Sequence, residues 1–419
     1  MIGGRKIGIW GFVFSVVASY IGGAALVAYS AYVFRFGIPA MAVFAGTAAG
    51  FVLFISYALK LRKISSTAKF HTLPDWFYFH YGRSAGLLSS GILFLVYTGM
   101  LLNQFIAGST LLSAISGWSY EFSLAVSGIV ISVYLFAGGF QSVIKTDIFQ
   151  YLVLLVVFMI TAWLMAGHHD LYISGKLDFQ DFSPGMTIAF LIFGVFIVFQ
   201  SAEYWQRVYA ARSDQVVKKG FLFSAILVLA TGFAITMVGL NARHQLPGLD
   251  PGQAFAGGLG LILPENLTGV GLVMIFAAIM SSADTILFVL ASGMAKDYVG
   301  RYRIRKGKSP DLMRITRWLT LVFSLGGVLL AIAFRDLIQV ILFITGLGFS
   351  LIPATIASFH FKVTSGAVVA SFVTGVIYVA LLLLSGFLIP EYSIASFAVS
   401  TLTLIIWSLT TKKNSLSSD

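Results

Sequence analysis

Uncharged or nearly uncharged runs recur along the whole chain, each long enough to cross a hydrocarbon core of ~30 Å. They fall at about 7–34, 38–59, 84–115, 122–144, 147–167, 186–204, 220–241, 268–295, 318–334, 337–359, 365–387 and 392–411, and predict twelve transmembrane helices. Charges collect between the runs. Two connecting segments, His168 to Gly185 and Ala242 to Asn266, exceed a turn and carry Gly and Pro. Each has room for a short surface helix and for no soluble domain.

Composition agrees with this pattern. Hydrophobic residues make up 58% of the 419 and charged residues 10%, far below the charged share of about 25% in soluble domains. The fold class expected is an all-α polytopic membrane protein. With no Cys, a disulfide framework and a thiolate metal site are excluded. The net charge of +11 is unevenly spread: if the N-terminus lies inside, 23 of the 27 Lys and Arg fall on inner segments and only Arg35, Lys176, Arg243 and Arg335 on outer ones. The positive-inside rule then puts both termini in the cytoplasm, and an inner bacterial membrane is the expected location. The basic loop Arg301 to Lys308 is a topology signal and a contact for anionic lipid headgroups, not a nucleic-acid patch. Arg5 and Lys6 precede a charge-free run to Phe34, too long for a signal-peptide core of about 7 to 15 residues. His168, His169 and Asp170 have no further His nearby in sequence and read as a solvated loop rather than a metal site.

One helix carries candidate chemistry. From Phe276 to Asp297 there is no Pro, and the one Gly, Gly293, comes near its end. Ala278, Ser281, Ser282 and Thr285 stand at i, i+3, i+4 and i+7, which puts two hydroxyls and a backbone carbonyl on one stripe of an apolar segment. Such a stripe can help hold a dehydrated cation; it can also serve helix packing, with each hydroxyl bonded to the i−4 carbonyl. A cation site needs more oxygens than one helix offers, and a second, broken helix would supply them. The first span contains Ala18-Ser-Tyr-Ile-Gly-Gly-Ala25, where adjacent Gly22 and Gly23 either permit close packing or mark such a break. Gly194 in the sixth span is a weaker hint of a second break, five spans on, as an inverted repeat of five plus five helices requires. No clear identity relates the two halves. Ionisable residues in or at the edge of the spans are few: Lys145, Asp147, Glu203 and Asp284. Such groups default to paired or functional roles, although Lys145 and Glu203 can snorkel to the inner interface.

Five stretches in order resemble the sodium:solute symporter family over about residues 8 to 360. They are Ala18-Ser-Tyr-Ile-Gly-Gly, Thr72-Leu-Pro-Asp-Trp, the segment from Tyr134 to Gln150 with its Gly138-Gly139 pair, Tyr204-Trp-Gln-Arg-Val-Tyr-Ala-Ala-Arg212 and Ala278-Ile-Met-Ser-Ser-Ala-Asp284. The resemblance implies a LeuT-like core of ten helices in two inverted repeats, about 7–167 and 186–360 within residues 1–360, followed by two more helices in 361–411 and a tail at 412–419. It implies Na+ as coupling ion, held by the carbonyls of Ala18, Ile21 and Ala278 and the hydroxyls of Ser281 and Ser282. Asp147, Ser281, Asp284 and Thr285 match a second sodium position found in some members. Asp284 stands where that position has serine, and Asp147 serves equally as a carboxylate at a helix start. Leu135 replaces a small residue, the chain opens directly at the first core span, and fewer helices follow the core than in many relatives.

Beside the breaks, a solute pocket is expected from Tyr20, Gly22, Gly23, Ala25, Phe44, Asn103, Gln104 and Gly194, with Tyr97 adding a hydroxyl or simply packing. It carries no evident Arg or Lys, which favours a small polar, neutral or zwitterionic solute, or a carboxylate held at a half-helix N-terminus. The function expected is sodium-coupled import by alternating access. The alternatives are a proton-coupled variant using Asp147 or Asp284, and a transporter-like sensor that reports to a signalling partner. No His and carboxylate cluster has catalytic spacing, so an enzyme is not expected. The sequence leaves the oligomeric state open.

Overall fold

The computed structural model describes residues 5–137, 140–167, 183–307 and 311–416. Among these, regular structure is helical apart from one isolated bridge between Ile7 and Ala211. In chain order the helices are α1 Ile9–Tyr20, α2 Gly23–Phe36, α3 Ala42–Ala68, α4 Pro74–Ser116, α5 Tyr120–Ala137, α6 Phe140–Gly167, α7 Pro184–Gln200, α8 Ala202–Ala210, α9 Asp214–Gln245, α10 Ala254–Ile262, α11 Glu265–Met294, α12 Arg301–Arg305, α13 Leu312–Ala333, α14 Leu337–Phe349, α15 Ile352–His360, α16 Ser365–Ser385 and α17 Pro390–Leu416.

Local chemistry sets many of the boundaries. Ser183, Ser213, Asp311, Asp336 and Thr364 each precede a helix and accept a backbone N–H from its first turn, satisfying one of the four donors a helix start leaves open. Pro74 and Pro184 occupy first-turn positions, where the missing N–H costs nothing. Within α4, Gly82 has φ +78°, a left-handed conformation that glycine adopts freely. It splits an amphipathic entry segment from the long apolar stretch expected from residue 84.

Among the described residues seven helices are long and apolar enough to cross a membrane, or nine when each of two bent pairs is taken as one span. Their lipid-facing and protein-facing parts differ sharply. Only 17% of the apolar window of α17 is buried, against 78% for the span α14–α15; Leu384 and Trp163 project outward as well. The buried elements α1, α2, α3, α4, α7, α8 and α11 form the middle of the bundle. The short loop Ala242 to Asn266 holds α10, the surface helix expected there.

The two bent pairs organise this centre. Helices α1 and α2 meet at 49°, and so do α7 and α8. The α3–α7 crossing beside them is close because Gly46, Gly50 and Gly194 face it. A Cβ on Gly194 would overlap the Val43 carbonyl and the Thr47 amide. Gly194 therefore lies inside an unbroken helix as a packing residue, and the second break falls seven residues later, at Ser201.

At one end of the bundle the residues before α4 are tied to those after α11. Asp75 accepts the N–H groups of His71 (2.8 Å) and Thr72 (3.1 Å), the Lys296 ammonium and Arg301 Nη2 at 2.8 Å. Thr72 donates to Asp297 at 3.2 Å, and Arg301 lies over the Tyr78 ring at 3.6 Å. We call this end the basic face.

Candidate functional site between two broken helices

The first break is made by glycine. The α1 hydrogen-bond ladder ends with the Ile21 N–H on the Val17 carbonyl at 2.8 Å. It restarts with the N–H groups of Ala25 (2.7 Å) and Leu26 (3.1 Å), both on the Gly22 carbonyl. In a continuous helix the Ala25 N–H would serve Ile21, so the Ile21 carbonyl loses its regular donor. Gly22 itself is extended (φ −59°, ψ 162°) and presses against α11. A Cβ there would overlap Ser282 Oγ and lie 3.3 Å from the Ala18 carbonyl. The unwound turn and the hydroxyl stripe of α11 are thus in direct apposition.

The Ala18 carbonyl and the Ser282 hydroxyl both lie against Gly22, and Ile21 is its neighbour in the chain; uncharged oxygens of this kind are hard-cation ligands in general. Ala278 and Ser281 lie on the same helix within α11, and their side chains lie outside the described residues. Gly23 opens α2. Asp284 and Thr285 are buried, with the Thr285 hydroxyl 3.4 Å from Asp284 Oδ1. Asp147, on α6, has a side chain outside the described residues, as Ser281 has, so of the four residues expected at a second ion position only Asp284 and Thr285 are described.

Next to the first break a cavity opens. Tyr20, Gly22, Ala25, Asn103, Gln104, Ser282 and Thr285 line it, joined by Ser19, Tyr29, Tyr97, Met100, Phe193, Gln200, Ser201, Glu203, Tyr204 and Thr345. The Tyr20 hydroxyl accepts from Thr47 at 2.7 Å, which fixes the ring in the wall. Two expected residues stand apart from it. Phe44 is buried edge-on against Tyr29, with ring centres 4.9 Å apart, and packs over Gly232. Gly194 is consumed by the α3 crossing described above. An aromatic or glycine near a break is as easily used for helix contact as for a pocket wall.

The second break contributes the polar chemistry that the sequence reading missed. Ser201 is extended (φ −77°, ψ 104°), and its hydroxyl turns back to the Ile197 carbonyl at 2.7 Å. Every residue of α8 is buried, including Glu203, Gln206 and Arg207. Glu203 does not snorkel: it faces the cavity, where its carboxylate accepts the Tyr97 hydroxyl. Arg207, 1% exposed, donates to Ser15 Oγ (2.9 Å), Ser19 Oγ (2.7 Å) and the Glu203 carbonyl (3.2 Å), tying α8 to α1. A signal for this existed. Gln200, Glu203, Gln206 and Arg207 recur at spacings of three and four, a polar stripe on a membrane helix that only a buried face tolerates.

Two discontinuous helices crossing around a mid-bundle cavity, in a protein of apolar spans, define a secondary transporter core. The sodium:solute symporter family model matches residues 1–170 and 165–375, and the chain belongs to that family. It is 25% identical over 413 residues to the sodium/pantothenate symporter of Escherichia coli, covering 91% of this chain and 83% of the relative. The sodium/proline symporter of Staphylococcus aureus is 24% identical over 412 residues, covering 90% and 79%. A solved Na+-coupled sialic acid symporter in a substrate-bound outward-open state matches with a TM-score of 0.76 at 18% identity, over 96% of this chain and 91% of that one. Mhp1, of the nucleobase-cation-symport-1 family, matches at 0.59 and 14% identity, over 97% and 94%. These likenesses establish the LeuT-type fold, and the protein is a sodium-coupled solute transporter rather than an enzyme.

Proposed function

We propose that this symporter imports a small polar, neutral or zwitterionic organic solute, with one Na+ seated between the carbonyls of Ala18, Ile21 and Ala278 and the hydroxyls of Ser281 and Ser282. The observation that supports this most is the apposition of Gly22 and α11, which brings the Ser282 hydroxyl and the Ala18 carbonyl against the same glycine of the unwound turn. An ion there bridges α1–α2 to α11. Bridging favours the arrangement that completes the adjoining cavity, a population shift driven by differential affinity. The membrane potential adds about 2.3 kcal/mol per charge per 100 mV. When rocking of one helix group separates Ser281 and Ser282 from Ala18 and Ile21, ion and solute leave together. The basic face is the cytoplasmic side in this reading, from the distribution of Lys and Arg, and both termini lie there.

Asp147, Ser281, Asp284 and Thr285 form a second ion position in the same proposal. Relatives named for proline and pantothenate supply the first solutes to try. In proteoliposomes carrying an inward sodium gradient, uptake of one of them is expected in the wild type and lost when Ser281→Ala and Ser282→Ala are combined. Sodium-dependent uptake that survives the double variant removes the ion site from this position. Uptake that ignores sodium and follows pH instead reassigns the coupling to protons.

A further inference from the structure

The solute cavity carries a carboxylate, Glu203, that Arg207 faces only at a distance and that forms no direct ion pair among the described residues. Glu203 is 5% exposed and lines the cavity at the second break. Among the described residues no Lys, Arg or His nitrogen lies within 4 Å of its carboxylate. The nearest guanidinium in sequence, Arg207, sends a hydrogen bond to the Glu203 backbone carbonyl and others to Ser15 and Ser19. Tyr97 bonds this residue twice: its oxygen receives the Glu203 N–H at 3.3 Å and its hydroxyl donates to the carboxylate.

Two more acceptors belong to the lining of the same cavity. Among the described residues Asn103 Oδ1 and Gln200 Oε1 are buried and have no hydrogen-bond partner. Gln200 is kept in place by Gly348, where any Cβ would overlap its side-chain oxygen. Buried acceptors left unpaired are destabilising, and a buried carboxylate keeps spare acceptor capacity after one hydroxyl has been donated to it. A cargo that donates hydrogens removes that cost on entry; a cargo that accepts them adds to it.

We propose that Glu203 is the specificity-determining residue of this cavity and that the solute carries a protonated nitrogen, seated on the Glu203 carboxylate with further N–H or O–H donors on Asn103 and Gln200. This deepens the symport reading above and rests on it. A cationic nitrogen supplies the direct partner that Arg207 does not, through a charge-assisted hydrogen bond about twice as strong as a neutral one. The inference separates the two named relatives' solutes: proline carries an ammonium group, and pantothenate has none.

The test compares matched probes on purified wild-type protein by thermal shift, with and without sodium. L-proline is paired with tetrahydrofuran-2-carboxylate, which replaces the ring nitrogen by oxygen; pantothenate is the third probe. Sodium-dependent stabilisation by proline alone is expected. Glu203→Gln should then raise the apparent proline Kd at least about ten-fold and leave the shift produced by sodium alone unchanged. If pantothenate or the ring ether stabilises the protein in a sodium-dependent way as well as proline does, the amine assignment is overturned and sodium symport stands. Failure of proline to stabilise in any condition overturns it too. Stabilisation independent of sodium for every probe instead removes the symport reading. The matched-probe comparison needs no variant, so misfolding of Glu203→Gln does not blunt it.

Discussion

The two broken helices bend by the same 49° and are built from opposite materials. At the first break the side chains are withdrawn. Gly22 offers only backbone, and the opposing partner is a neutral hydroxyl on α11. At the second, Ser201 turns its hydroxyl back on its own helix, and the functional groups are the long side chains on either side, Gln200 and Glu203. Backbone oxygens in a tight turn suit a small ion whose hydration shell must be replaced at short range. Charged and amide side chains reaching into open space suit an organic molecule. In the proposal made above, one bend, made twice, serves two kinds of cargo, and Arg207 connects them by holding α8 to Ser15 and Ser19 of α1.

The largest effect should come from filling the first break. Gly22→Ala places a methyl group on Ser282 Oγ, and overpacking of this kind costs about 1–3 kcal/mol, so sodium affinity should fall about 10- to 100-fold. The sodium-induced thermal shift measures it. Adding Ser282→Gly makes room for the methyl group and should recover thermal stability without recovering the response to sodium, because the hydroxyl ligand is gone. Recovery of both would mean that Ser282 is only a packing neighbour of the turn.

These two breaks were unequally visible in the sequence. Gly22 and Gly23 stand together in an apolar run, and Ala278, Ser281, Ser282 and Thr285 share one helical stripe; both patterns are local, each was open to a packing role, and only the family resemblance set them against each other. Ser201 lies among Gln, Ser and Ala with no Gly or Pro to mark a change of direction, so the sequence pointed to Gly194, the nearest helix breaker. Gly194 is instead used by the α3–α7 crossing, a contact between residues about 150 positions apart that no window along the chain reveals. For Glu203 snorkelling stayed open beside a paired or functional role, and Arg207 was read only as part of an inner basic segment, for a related reason. At the end of an apolar run, charges ordinarily mark the membrane interface, and here α8 folds back into the bundle and buries all nine of its residues. Apolar spans are legible from hydropathy, because lipid imposes the same requirement on each of them, although among the described residues seven helices, or nine with the bent pairs, meet that requirement against the twelve expected.

A substitution at Gly348 should act on the second break and leave the first alone. A Cβ there collides with Gln200 Oε1, and turning that amide out of the cavity removes one acceptor from the solute. Gly348→Ala should weaken sodium-dependent solute binding about ten-fold, the cost of roughly one hydrogen bond to a charged partner. The shift caused by sodium without solute should stay at its wild-type value. A parallel loss of both would show that the breaks work as one unit and that the division of labour drawn above is wrong.

The smallest effect is electrostatic and lies at the basic face. Beneath the solute cavity a second, smaller cavity is lined by Tyr97, Ala202, Gln206 and Asp297, so Tyr97 is a wall common to both. Asp297 stands beyond the end of α11, where burial first and the negative charge of Asp75 second push its carboxyl up to about 6. The folded protein therefore keeps this proton over a range, about pH 4 to 6, in which the unfolded chain has released it. Stability from this group is full below that range, declines as pH rises through it and is level above, with an upper limit of about 3 kcal/mol. Between pH 4 and pH 7 the wild type should lose roughly 2–5 °C more in apparent Tm than Asp297→Asn, which cannot titrate. The sodium-induced shift should be the same in both proteins, since the Gly22 turn makes its contacts with α11 more than a dozen residues from Asp297. If neutralising Asp297 alters that shift, charge at the basic face reaches the ion site through Tyr97 and α8, and the second break would have to be counted as part of the first.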